Sequence, residues 1–213
     1  MPDFLPSPAI IAAYTFAAIV LALTPGPDMT LFLSKTVAQS RRAGLASLGG
    51  ATLGLVIHSC LVAAGLSVLL AASVVAFTVL KVVGALYLVY LAIDAIRNGS
   101  SLSLDRRRIE EPIRSVFLKG LLIDLLNPKV IIFFVTFLPQ FVSPSDPHAA
   151  QKMLFLGLFF AVVNIPVCAP LILSADRIAL LLKRSPKATR VVDWLFAGVL
   201  SAFAVKLVLT QSR

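Results

Sequence analysis

Charged residues are scarce: Asp, Glu, Lys and Arg make up 14% of the 213 residues, against roughly a quarter in an ordinary soluble domain. Such a chain cannot cover a soluble globule with polar surface, which excludes a typical cytosolic enzyme. The 59% that is hydrophobic excludes a disordered tail. The two cysteines, Cys60 and Cys168, each lie inside an apolar run, so neither a disulfide framework nor a metal-ligand spacing can be read. No Gly-rich phosphate loop carrying a lysine is present, which argues against ATP-driven transport by this chain alone. No cofactor or metal is expected. Residues 1–10 hold no basic segment and include Asp3, so a cleaved signal peptide is not expected and the first apolar segment is retained.

What the chain does contain is apolar sequence in blocks. Residues 4–27 carry no charge, and neither do residues 43–80, where His58 is the one ionisable side chain. About 20 apolar residues cross the roughly 30 Å of hydrocarbon in a bilayer. The pattern predicts an all-α integral membrane protein of six transmembrane helices. One lies over residues 8–39, two lie within 43–93 around a turn near 67–73, and one lies within each of 115–142, 153–175 and 191–210.

Net charge is +9, which raises the question of nucleic acid. The basic residues, however, sit between the apolar blocks. Fourteen of the nineteen fall in the first, third and fifth connections, among them Lys35, Arg41, Arg97, Arg106, Arg114 and Arg190. By the positive-inside rule those connections are cytoplasmic, both termini are external, and no nucleic-acid partner is expected. Residues 98–114 form the one long polar segment. It separates a three-helix repeat over 1–97 from a second over 115–213, and because three is odd the second half enters from the opposite face. This is a 3+3 inverted-topology repeat, an arrangement used by many secondary transporters.

The first and fourth helices are predicted to be broken. The sequences Thr24-Pro25-Gly26-Pro27-Asp28 and Asp124-Leu125-Leu126-Asn127-Pro128-Lys129 interrupt apolar runs. Proline removes a backbone donor and frees carbonyls that lipid cannot satisfy, so such a break needs protein or water around it. Matching Pro27 to Pro128 sets Asp28 opposite Lys129 and Gln39 opposite Gln140. Asp28, Asp124 and Lys129 are therefore the ionisable groups expected deep in the membrane, where charge is expensive and faces a cavity or a partner. Two readings stay open: substrate or proton contact, and a structural Asp28–Lys129 ion pair. Candidate substrate-binding or proton-coupling residues are Pro25, Gly26, Pro27, Asp28, Asp124, Asn127, Pro128 and Lys129. His58, midway along the second span, and Asn164, beside Pro166 and Pro170, are secondary candidates, each also explicable as packing or as a cover for freed backbone. Gly50 and Gly54 fit a small-residue face for close helix packing.

These motifs resemble one family. Leu23 to Asp28, the stretches 41–45 and 49–54, 81–88, Leu126-Asn127-Pro128-Lys129, and Phe137-Leu138-Pro139-Gln140-Phe141 are similar to the lysine exporter (LysE/RhtB) family. The Asp after Pro-Gly-Pro resembles its homoserine, threonine and leucine branch. The resemblance implies secondary, proton-motive-force-driven efflux of a small amino acid or derivative across the bacterial inner membrane, with membrane lipid around the chain and a homo-oligomer left open. A competing reading is a transmembrane thiol-disulfide carrier using Cys60 and Cys168, which the absence of a CxxC motif disfavours. An intramembrane aspartyl protease using Asp28 and Asp124 lacks the flanking sequence that chemistry needs.

Overall fold

Local sequence accounts for three helix starts. The Ser7 hydroxyl accepts from the amide of Ile10 at 3.4 Å to open α1, Pro8–Leu23. Pro27, whose fixed φ suits a first helical position, opens α2, Pro27–Ala38. Ser40 caps α3, Arg41–Leu61, through the amide of Ala43, and α3 runs on as a wider π-type turn over Val62–Leu66. α4 covers Ile113–Leu126. α5, Pro128–Ile132, continues through a wide turn, Phe133–Phe137, into a tight one, Leu138–Phe141. α6 covers Ala149–Leu173 and contains Pro166 and Pro170.

The computed structural model describes residues 5–24, 26–66, 111–143 and 146–175, with the isolated positions 79, 82, 86, 89, 90, 93, 190, 194, 198, 201 and 205. Most of the expected third and sixth spans, residues 98–110 of the basic connection, and Pro25 lie outside the described residues.

Two helices, Arg41–Gly65 and Ala149–Leu173, are each long and apolar enough to cross a membrane. Two more candidate spans are bent pairs: α1 with α2 at 54°, and Ile113–Leu126 with Pro128–Phe141 at 49°. The described residues thus hold two to four spans, at the positions expected for the first, second, fourth and fifth. α6 begins four residues earlier than expected because Lys152 does not end it. Its Nζ is 2.5 Å from Asp146 Oδ2, so the charge is neutralised at the helix entrance.

α3 lies at the centre of the packing. Its Gly50 abuts the backbone of Phe117 and Leu121 on α4, and Gly120 of α4 abuts the backbone of Ser47 in return. Neither position has room for a Cβ, so the two backbones touch as closely as small residues allow. Buried hydroxyls along α3 turn back onto their own helix: Ser47 donates to Gly44 O and Ser59 to Leu55 O, each at 2.7 Å. That satisfies the polar groups and leaves the contact faces apolar. Around this centre Tyr14, Phe133, Phe134, Phe137 and Phe160 form a buried aromatic cluster, with the Phe133 and Phe160 rings 5.1 Å apart. The outward faces carry large apolar side chains such as Phe16, Leu61, Leu126 and Val162, each more than 60% exposed. Burying such side chains from water is worth about 1.5–3 kcal/mol each, so a surface of this kind belongs in lipid.

Candidate functional site

Both breaks arise from the same local rule. A residue before proline is pushed out of the helical region, and Thr24 (φ −64°, ψ 122°) and Asn127 (φ −73°, ψ 110°) are both extended. α1 and α4 stop there with carbonyls unpaired. α2 has 12 residues and α4 has 14, so at 1.5 Å per residue each break lies about 18–21 Å from the shared end of the bundle where α2 ends and α4 begins. Both breaks therefore lie at a similar distance from that end.

The two breaks are bonded to each other. Lys129 Nζ donates to Thr24 O at 3.0 Å and reaches Leu21 O at 3.5 Å, supplying donors that α1 lost at its proline. Asn127 Nδ2 donates to Asp28 Oδ2 at 2.5 Å, while Asn127 Oδ1 accepts from the amide of Lys129 at 3.0 Å and caps α5. Gly26 makes room for the lysine: a Cβ there would stand 3.2 Å from Nζ. Among the described residues no salt bridge within 4.0 Å joins Asp28 to Lys129. The ammonium donates to backbone carbonyls, and one oxygen of the carboxylate accepts from the side-chain amide of Asn127.

Asp28 and Asp124 are buried, at 9% and 1% exposure, and Asp28 Oδ1 and Asp124 Oδ2 have no hydrogen-bond partner among the described residues. Asp124 sits in a seat made by Gly54, where any side chain would collide with its carboxylate. His58 Nε2 lies 3.9 Å from Asp124 Oδ2 and 3.4 Å from Asp124 O, and its ring packs 5.5 Å from that of Phe134. The histidine is thus both packed and beside the carboxylate.

A cavity of about 30 Å³ lies between the breaks, α3 and α6. Its polar lining is Asp28, Asp124, Lys129, Asn164 and Cys168, and its apolar lining includes Phe32, Leu55 and Phe160. Gly26, Pro27, Asp28, Asp124, Asn127, Pro128 and Lys129 are therefore gathered at one place, with His58 and Asn164 at its edge. Asn164 bonds to Cys168 rather than to backbone freed by Pro166. Cys60 is exposed on α3, while Cys168 is buried in the cavity wall.

Sequence reasoning missed three features: the seat at Gly54, Cys168 as a lining residue, and a clasp at the shared end. In that clasp Glu111 binds Lys35 of α2 through Oε1 and Lys119 of α4 through Oε2, each at 2.5 Å. Gln39 Nε2 also donates to Glu111 O at 2.6 Å, and Gln39 Oε1 accepts from the Glu111 amide at 3.4 Å. The hydrogen bonds from Lys119 and Lys35 hold the Glu111 carboxyl below its usual range. The available signal was a Glu110-Glu111 pair in a connection rich in arginine.

A family model described as LysE type translocator matches residues 19–211. The homoserine/homoserine lactone efflux protein of Salmonella typhimurium is 32% identical over 187 residues, 88% of this chain and 90% of that protein. A membrane protein of Vibrio cholerae is 36% identical over 146 residues, 68% and 71% of the two chains. The leucine efflux protein of Salmonella typhimurium is 29% identical over 201 residues, 93% and 94%. No solved structure matches.

Proposed function

Because the chain belongs to the LysE type translocator family, we propose that it exports a small uncharged amino acid or close derivative, homoserine-, threonine- or leucine-like, through the space between its broken spans. It is a membrane transporter and not an enzyme. The observation that carries the site is the pair of unpartnered carboxylate oxygens, Asp28 Oδ1 and Asp124 Oδ2, on residues lining one buried cavity. A buried polar atom without a partner costs about 1–3 kcal/mol, more when charged, and a substrate ammonium removes that cost. The substrate carboxylate is drawn to the positive end of α2 and to the field of Lys129.

Net export against a gradient needs coupling, which inward proton flow supplies, with Asp28 or Asp124 taking a proton as the ammonium leaves. A water needs roughly 10–15 Å³ of such space, so the 30 Å³ cavity has room for no more than about two or three waters and an amino acid enters only when its walls part. Rocking of two three-helix halves of opposite orientation, 1–97 and 115–213, supplies that motion. The two bends of 54° and 49° at matching sequence positions support the paired halves. In this reading the protein sits in a bacterial inner membrane with both ends of the chain external, and its partners are the amino acid, protons and lipid.

Counterflow in proteoliposomes tests the function. Labelled amino acid accumulates in vesicles preloaded with the same amino acid, and an imposed proton gradient biases net flux. Absence of exchange for every neutral amino acid tried, with the protein correctly inserted, overturns the reading.

A further inference from the structure

The charged residues lining the cavity, Asp28, Asp124 and Lys129, all come from the two broken spans. α6 supplies an uncharged wall. Phe160, Asn164 and Cys168 follow one another at four-residue spacing and form a single stripe facing the cavity. An asparagine near Pro166 and Pro170 has an ordinary task available, that of covering carbonyls which the prolines leave without donors. Asn164 does not perform it. Its Oδ1 accepts from Cys168 Sγ at 3.3 Å, and Cys168 Sγ is itself 3.9 Å from Ala22 O at the end of α1.

That bond orients the amide. With Oδ1 engaged by the thiol, Nδ2 is the group left over, and it donates to no protein atom among the described residues. Asn164 is a largely buried residue lining the cavity, so its amide is a pre-set donor at the cavity wall. The wall beside it includes Phe32, Leu55 and Phe160, which give the apolar part of a side chain a dry surface.

We infer that Asn164, positioned by Cys168, is the specificity-determining residue that reads the side chain of the exported amino acid. It favours uncharged side chains carrying a hydroxyl or carbonyl oxygen over aliphatic side chains of the same shape. This rests on the amino-acid export reading above. A site built to hydrogen-bond a substrate oxygen discriminates against an analogue lacking it far better than an apolar pocket does against the reverse change, because the donor is left unpaired once the analogue fills the cavity.

The probe pair is homoserine and norvaline, in which a methyl replaces the hydroxyl at nearly constant shape. The purified full-length protein is reconstituted in proteoliposomes loaded with both, and half-saturation and maximal rate are measured for each outside. The wild type should favour homoserine by about tenfold, equivalent to one hydrogen bond. Asn164→Leu should bring the ratio near one by weakening homoserine and sparing norvaline. Cys168→Ala, which frees Oδ1 and lets the amide turn, should give a partial loss of about threefold, and Cys168→Ser should restore the ratio by donating to the same oxygen. Asn164→Ala carries the comparison if the leucine variant does not insert. The inference is overturned if the wild type shows no preference, or if Asn164 variants lower both amino acids equally or change neither. Absence of exchange with either probe and with every other neutral amino acid is a different result: it removes the export reading, and the inference with it.

Discussion

The ammonium of Lys129 lies 3.0 Å from the carbonyl of Thr24, so a side chain from the second helix break completes the backbone of the first. Hydrogen bonds to a charged group are worth about 1.5–3 kcal/mol, and the fold depends on this one because lipid offers those carbonyls no substitute. Asp28 is tied to Asn127 instead, which leaves one of its oxygens free. The two charged residues therefore have separable roles.

Their substitutions should separate accordingly. Lys129→Met should lower the folded fraction, read as monodisperse protein after solubilisation, by removing the donor to Thr24 and Leu21. Asp28→Asn should leave folding and insertion intact and stop net efflux. The double variant should fold no better than Lys129→Met and transport no better than Asp28→Asn. Recovery of folding or efflux in the double variant would restore the ion-pair account.

Two glycines one turn apart on α3 should behave differently. A Cβ at Gly50 meets the backbone of α4, which cannot move aside, so Gly50→Ala should reduce folded protein. The atoms nearest a Cβ at Gly54 all belong to the Asp124 side chain, whose carboxylate can rotate away, and not to backbone. Gly54→Ala should remain largely folded and lose transport, whereas Gly54→Leu, which also forces the helices apart, should lose folded protein as well. Equal abundance loss for both alanine variants would make Gly54 a packing residue only.

The Glu111 clasp gives a pH signature. Its carboxyl is held below the usual glutamate range by Lys119 and Lys35, so its contribution is complete above that range and is lost as pH falls through the folded-state value. Lys119 is about half exposed, so the effect is modest. Thermal unfolding in detergent should show Glu111→Gln slightly less stable than wild type at neutral pH, with the difference closing below the usual glutamate range. A difference that persists or widens in acid contradicts the clasp.

Orientation depends on charge counting alone. A reporter fused after Arg213 should report the external side, and one inserted at Arg106 the cytoplasm. A cytoplasmic C-terminus overturns the six-span count, most simply in favour of five.

Hydropathy and proline geometry are local, and so the sequence by itself determined which segments are apolar and where two of them break. Thr24 and Asn127 leave the helix because each precedes a proline, whatever surrounds them. Gathering Asp28, Asp124, Asn127 and Lys129 at one centre was legible for the same reason, since both breaks fall at a similar depth. Which group meets which was not legible. Lys129 reaches Thr24 across 105 residues, Asn127 reaches Asp28 across 99, and Lys35 reaches Glu111 across 76. Each of these donors had several acceptors of equal chemistry in the sequence, and only the packed distances chose among them. The same holds for Gly54, which reads as one more small residue on a helix face until α4 presents Asp124 to it. Side-chain partnership in a low-dielectric interior is decided within a few tenths of an ångström, and tertiary packing is what sets distance on that scale.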